Sequence, residues 1–473
     1  MDIIYDINEV YRSGVRGKLY RLLYGMNKNT RISVLTPVGL SDECDTGETV
    51  GQGTLEGAVI SAVSLDKGVD DFFNDSEHEV VYAGLRLQPL LFQDDVSRLA
   101  YNPTDVQAGN DKLESMAETK LLDFNLVKSG YMHIGSRKSC MRFQDQLQKH
   151  PITFCGEPMP CVSEAKILGD WLSNQGLSHS VSLTVKKRKG LALASIYEIR
   201  TIVEDCRSNA IGGLSVGIDL WKSAVLPMLL FNSETWFHMS QKSIDELEDI
   251  QKRFYKCLMA TGSGCPIPSL YWETGGVLIK YRILQRKLLF VHHLATLPTS
   301  SLARQVFDVQ RNLHVPDLVS DCIKILNDNN LFQIEQFSKS QFKHIIKRLI
   351  FNMNKDELFS MSQKYKKIEF DRKEDFRVRH SFLREMNVHD ARMLFKIRTQ
   401  MVPTIQMNFP SDRAYTANNW TCSACNSNLD TQSHVMVCKE YSTWKEGLNL
   451  DEDIDCVKFF KKVVSLRTIS VSS

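Results

Sequence analysis

The sequence predicts an α+β protein in which a mixed helix-and-strand segment gives way, near residue 170, to a mostly helical remainder. Three observations predict it. Short apolar runs bounded by Gly, Pro and Asp recur over residues 31–155, at strand rather than helix length. From about residue 171 apolar residues recur instead at three- and four-residue spacing. Near the end, Cys422, Cys425, His434 and Cys438 form the one cluster among otherwise scattered cysteines.

The bulk properties frame this reading. At 473 residues the chain is too long for one ordinary core, so roughly two to four domains are expected. Hydrophobic content of 43% and charged content of 24% are those of a globular protein. The net charge of +2 is unevenly spread: residues 1–100 hold 9 basic against 16 acidic side chains, and the remainder 49 against 40. An acidic end suits metal and a basic remainder suits a phosphate backbone, although chance clustering is as good an account. The start, Met1 to Asp6, has neither the basic nor the apolar region of a signal peptide. The longest apolar run, Ala224 to Phe231, is far short of the ~20 residues that span a bilayer. Twelve cysteines without a paired framework argue for reduced thiols in an intracellular protein.

The elements follow in order. Residues 15–25 alternate apolar and basic at helical spacing, with Gly25 as a stop. Residues 31–38 read as a hairpin strand ending at Pro37, and 41–57 as a loop. The apolar stretch Ala58 to Leu65 begins a helix. Residues 87–92 and 96–100 flank Asp94 and Asp95 as strand, turn and strand. Residues 111–124 read as a helix, and 130–135 and 152–155 as short strands. In the helical part, Ser243 and Glu246 have the spacing of a capping box. Ile244, Leu247, Ile250, Phe254 and Leu258 then make one apolar stripe, a core face rather than a docking face, and Gly262 to Gly264 stop the helix. Residues 275–400 are mostly helical, and 340–386 carry 12 basic against 7 acidic residues.

Two constellations carry chemistry. Asp94 and Asp95 sit at the tip of an apolar hairpin, where like charges repel and a divalent cation relieves the repulsion. A bare Asp pair at a turn is more often simply solvated, as Asp70 and Asp71 illustrate. The second is Cys422, Cys425, His434 and Cys438. A C-x2-C turn sets two thiolates on one side of an ion, and a His and a Cys four residues apart complete a tetrahedron. Three thiolates and an imidazole suit a structural Zn²⁺ with no open position. Trp420 and Trp444 flank the cluster and suit either base stacking or packing on its core. The run Lys186 to Lys189 reads as a solvated helix face, a phosphate contact or a nuclear signal.

Phe92-Gln-Asp-Asp95 resembles the aromatic-x-Asp-Asp motif of reverse transcriptases, and the motifs around it resemble that family in order and spacing. Upstream, Val50-Gly-Gln52-Gly53 resembles the Gln-Gly motif, where a residue without Cβ lets the backbone approach template and nucleotide. Downstream, Leu122 to Lys128 resembles the segment whose Asn and Lys, here Asn125 and Lys128, lie near the incoming triphosphate. Ile152 to Gly156 and Lys166 to Gly169 resemble the primer-gripping hairpin and the Leu-Gly sequence after it. Residues 215–236, with Trp221, Glu234 and Trp236, resemble the thumb of non-LTR, LINE-type elements. The cysteine cluster resembles the CCHC knuckle that follows it.

The resemblance implies a partial polymerase palm over 1–170, a helical thumb over 171–300, a helical linker region over 301–410, a zinc knuckle over 411–450 and a tail over 451–473. It implies an RNA-directed DNA polymerase using two Mg²⁺ ions held by Asp94 and Asp95, acting on an RNA template, a DNA primer or target and deoxynucleoside triphosphates, in the nucleus and without a membrane. The family's third carboxylate lies on a strand upstream of the segment resembling Gly14 to Lys18. Asp2 and Asp6 lack that strand setting. The expectation is therefore a truncated open reading frame, lacking the first catalytic Asp, most of the fingers and any endonuclease, and inactive alone. The alternatives are a non-enzymatic nucleic-acid-binding zinc protein and the product of a degenerate element copy.

Overall fold

The computed structural model describes residues 3–28, 31–45, 55–73, 79–93, 95–120, 122–135, 137–149, 151–205, 211–262, 264–313, 316–365, 380–402, 421–422, 424–427 and 430–469. Asp2, Gln52, Gly53, Asp94 and Trp420 lie outside them. The chain divides into two compact units. The first is Met1–Ala165 with Ser173–Gly176, and the second is Lys166–Leu172 with Leu177–Ser473.

In the first unit, α1 (Ile3–Arg12) and α2 (Gly17–Asn27) precede two small antiparallel pairs. These are β1 (Arg31–Ile32) with β4 (Cys44–Asp45), and β2 (Leu35–Thr36) with β3 (Gly39–Leu40). The single strand expected over 31–38 is thus broken. Pro37 has no N–H for a ladder, and Thr36 holds the turn, its Oγ1 donating to the Gly39 carbonyl at 2.7 Å. Next come α3 (Leu55–Phe73), β5 (Val80–Tyr82) with β6 (Leu85–Leu87), and β7 (Leu90–Phe92) with β8 (Asp95–Ser97).

Helix α4 (Pro103–Lys120) starts eight residues earlier than its apolar pattern indicates. Pro103 suits a first helical turn, and Asn102 Oδ1 accepts from the Asp105 amide at 2.9 Å. Helix α5 (Arg137–Lys149) and the pair β9 (Thr153–Phe154) and β10 (Glu157–Pro158) complete the unit. Of the strand expected over 130–135, only Tyr131 pairs, in an isolated bridge to Cys161. One core joins Leu65, Val69 and Phe73 of α3 to Leu113 and Met116 of α4 and Phe154 of β9. A smaller one joins Ile7 and Val10 of α1 to Ile60.

β11 (Glu164–Ile167) and β12 (Asp170–Ser173) pair around Leu168 and Gly169. The second unit is then helical: α6 (Leu177–Asp205), α7 (Gly213–Leu220), a π-turn over Trp221–Val225, α8 (Leu226–Leu229), α9 (Gln241–Leu258), α10 (Ile267–Thr274) and α11 (Ile279–Thr296). It continues through α12 (Leu302–Leu313), α13 (Leu318–Asp328), α14 (Lys339–Ser362), α15 (Phe382–Glu385), α16 (Val388–Arg398), α17 (Gln432–Val437), α18 (Ser442–Lys445) and α19 (Asp453–Ile469). The stripe on α6, with Val181, Val185, Ala192, Ile196, Ile199 and Val203 buried at helical spacing, shares a core with Leu247, Ile250, Phe254 and Leu258 of α9. The α9 stripe is therefore core. Gly217 of α7 sits so close that a Cβ would meet Leu258 Cδ1 at 2.7 Å and Val203 Cγ2 at 2.9 Å. Trp221 and Trp236 are buried in this core, Trp221 stacked on Phe254 at 4.4 Å.

The cap of α9 is corrected. Ser240, not Ser243, is the N-cap, and its side chain accepts from the Ser243 amide. Glu246 instead faces Lys189 at 3.4 Å. The helix also ends before Gly262, at Leu258, with Ala260 in the left-handed region.

The α+β class with predominant helix is borne out. Among the described residues every sheet has two strands, so sheet topology by itself does not establish a palm. Among them also, no helix is long and apolar enough to cross a membrane.

Candidate metal centre and the Asp95 hairpin

The cysteine cluster is built by two local structures. After Cys422 the chain doubles back, the Cys422 carbonyl accepting from the Asn426 amide at 2.8 Å, with Asn426 left-handed at φ 53°. This presents Cys425 beside Cys422. Thr431 then caps α17, its Oγ1 accepting from the His434 amide at 3.0 Å. His434 lies on that helix and Cys438 ends it, one turn later and on the same side.

The ligand atoms of Cys422, Cys425, His434 and Cys438 all lie within 4.8 Å of one another. Sulfur atoms bound to one tetrahedral zinc lie about 3.7 Å apart, given Zn–S bonds of about 2.3 Å. Cys425 Sγ is already 3.3 Å from His434 Nε2, and Ser427 Oγ donates to Cys425 Sγ at 3.3 Å. Burial, with Cys422 and Cys425 alongside, pushes the Cys438 thiol up. Crowded thiols of this kind ionise together only when a cation shares their charge. The donor set, three sulfurs and one imidazole nitrogen, fits zinc as a structural ion. The four residues rest on a core of Val402, Val435, Tyr441, Phe459, Phe460 and Val463. Gln432 Nε2 ties the module to α16 by donating to the Ile397 carbonyl at 2.8 Å. Trp444 packs on that core, 5.0 Å from Tyr441, with Lys462 over its ring at 5.4 Å. This is the packing role rather than a free stacking platform.

In the first unit, Asp95 opens β8 opposite Phe92, and both are exposed. Leu91 and Val96, the next pair in register, turn inward onto the core of α3 and α4. Gln93 turns the hairpin at φ 56°. Asn125 and Lys128 are exposed on a loop in which Asn125 Oδ1 accepts from the Lys128 amide at 3.2 Å. Leu122, Phe124 and Leu126 of that loop alternate inward onto the same core, Phe124 lying 4.8 Å from Phe154. The 152–156 segment turns through Cys155 and Gly156, both at positive φ, and is held by Asn110 and Gln107 of α4, the former donating to the Thr153 carbonyl at 2.8 Å and the latter accepting from its amide at 2.8 Å. Three separate motif segments thus stand on one core. Gln52, Gly53 and Asp94 lie outside the described residues, and their relation to Asp95 is not part of this geometry.

Asp6, weighed as a stray carboxylate, is on helix α1 and not on a strand. It is buried, and Ser64 Oγ donates to it at 2.5 Å. Burial pushes the nearby Lys120 ammonium down, against the pull of Glu9 and Asp6.

The basic run 186–189 is not one solvated face. Lys186 and Lys187 are exposed, but Arg188 is buried and donates to the carbonyls of Phe231 and Gly169 at 2.7 and 2.8 Å and to Asp170 Oδ1 at 2.6 Å. Trp236 Nε1 donates to the other Asp170 oxygen at 3.3 Å. The Leu-Gly turn is therefore a buried lock: Gly169 sits at φ 89°, where a Cβ would meet Phe231 Cε1 at 2.9 Å. Sequence reasoning missed this node because the charge run hides one inward residue. The helical phase of Arg188 with Val181, Thr184, Val185 and Ala192 could have shown it.

No protein-family model matches the chain, and no curated protein matches it.

Proposed function

We propose that the chain is a nucleic-acid-handling portion of a non-LTR-type reverse transcriptase, with a structural zinc module near its C-terminus. The observation that carries this reading is the convergence on one core of the Asp95 hairpin, the Asn125–Lys128 loop and the Thr153–Phe154 hairpin. Their order along the chain is that of the family they resemble. In this reading Asp94 and Asp95 hold Mg²⁺, which supplies charge for the leaving pyrophosphate. By the resemblance, Lys128 would serve the triphosphate, and Gln52 and Gly53 the template and nucleotide. Asp6, sealed in a helix against Ser64, does not serve as the third carboxylate.

The expected outcome in a primer-extension assay on the purified chain is binding of an RNA–DNA hybrid with little or no nucleotide addition. Processive synthesis that disappears in Asp95→Asn would confirm the polymerase assignment and overturn its inactivity. A second reading, a non-enzymatic nucleic-acid-binding zinc protein, is favoured by the complete four-ligand set. It predicts RNA affinity that is lost in Cys422→Ser, unchanged in Asp95→Asn and steeply weakened by salt.

A further inference from the structure

Near the start of α11 stands an arginine that no described side chain engages by hydrogen bond. Arg282 is partly buried, and its Nε is shut off from solvent without a hydrogen-bond acceptor. Among the described residues its guanidinium has no hydrogen bond, carboxylate partner or aromatic ring against it. The ionisable groups around it are Tyr255, Tyr271, Glu248 and Arg286. The one carboxylate, Glu248, is already engaged. It accepts from Tyr271 Oη at 3.0 Å and from the Lys280 amide at 3.2 Å, which caps the start of α11. Arg286 adds a second positive charge one helical turn along. It is itself committed to the Leu230 carbonyl at 2.5 Å and Glu234 at 3.3 Å.

The position is electrostatically adverse in two ways. A charge withdrawn from water without a partner is strongly unfavourable, and the opening turns of a helix carry the positive end of its dipole. Arg188 in the same unit shows the ordinary solution, with a carboxylate and two carbonyls around its fork. Arg282 has none of these, and it shares its helix face with a second arginine. The geometry points to Arg282 as the anchor of an oxyanion site that takes a phosphate group. A planar guanidinium receives two oxygens of one phosphate side by side. Arg286 is paired with Glu234, which leaves Arg282 as the one of the two guanidiniums free to receive the group. The phosphate comes either from a free anion or from a nucleic-acid backbone, and the site does not depend on the polymerase reading.

The test is thermal denaturation of the full chain with and without inorganic phosphate, at matched ionic strength, for the wild type and for Arg282→Met and Arg282→Lys. Phosphate should raise the wild-type melting temperature by roughly 2–4 °C. The rise should shrink in the Lys variant and vanish in the Met variant. Without phosphate, Arg282→Met should melt at or above the wild-type temperature, since it removes a buried N–H that has no acceptor. An equal phosphate response in the wild type and Arg282→Met would overturn the site. So would a phosphate-free Arg282→Met that melts several degrees lower, because Arg282 would then already have a partner. A fluorescent single-stranded oligonucleotide separates the sources. Displacement by phosphate in the wild type, absent in Arg282→Met, assigns a backbone phosphate. A phosphate response with no such displacement assigns the free anion.

Discussion

At the scale of single residues, the second unit depends on a few buried polar groups placed where apolar packing would otherwise continue. Arg188 and Asp170 are 10% and 17% exposed, and each satisfies several partners. Removing one member leaves an uncompensated buried charge, so Arg188→Met should destabilise by about 3–5 kcal/mol in urea denaturation. Replacing both residues together should cost less than either alone. Gly169→Ala should cost about 2 kcal/mol, from its positive φ and from collision with Phe231; a neutral result would show that the turn is not fixed against that ring. Glu204 gives a pH-dependent case. Its pairing with Arg392 at 2.8 Å holds its carboxyl below the usual 4.5. A depressed folded-state value means stability that is present above about 4.5 and lost as pH falls through the folded value. Wild type and Glu204→Gln should therefore differ in melting temperature at neutral pH and converge in acid.

At the scale of elements, legibility followed how local each determinant is. The α9 stripe and the helices of 275–400 were readable because their periodicity lies within one element. The C-x2-C turn and the His434–Cys438 spacing were readable because each ligand pair is set by a single turn. What was not readable depends on contacts between distant residues. Ser243 and Glu246 offer the letters of a capping box, but the helix starts earlier, at a serine with equal chemistry, and Glu246 faces Lys189 instead. Ser240→Ala should accordingly cost about 1 kcal/mol, while Glu246→Gln should leave the cap intact; the reverse order in a thermal scan would restore the box. Arg188 was misread because the charge run masks its helical phase, and the partners that hold it, Gly169 and Phe231, lie 19 and 43 residues away in sequence. The Asp95 hairpin was legible as strand, turn and strand, whereas its support by Phe124 and Phe154 was not.

At the scale of the whole molecule, two units of contrasting character share one chain. The first holds the acidic hundred residues and short strand pairs, and the second is helical and basic. If the chain handles nucleic acid, affinity should fall linearly in a log–log plot against salt, with a slope set by the number of phosphates contacted. A flat salt dependence in a fluorescence-anisotropy titration would remove nucleic acid from the list of partners, whatever the motifs resemble. The cysteine–histidine module gives a matching structural prediction. Under the zinc reading, stripping the metal with a chelator should expose Trp444 and red-shift its emission, because its neighbour Tyr441 shares the core with Cys422 and Cys438. Cobalt loading should give the absorption of a tetrahedral thiolate site.

The core under those four ligands has a further meaning. It takes in residues of α19 and abuts α16, so the last described helix packs on the surface that carries the four candidate ligands. Under the zinc reading, the stability of this end is then a function of supply rather than a constant. Each tenfold rise in free zinc adds about 1.4 kcal/mol to the folded form, until the unfolded chain begins to bind it as well. A cell short of zinc would make the same polypeptide and leave its C-terminal end open to proteases, so abundance of the intact chain would report metal status.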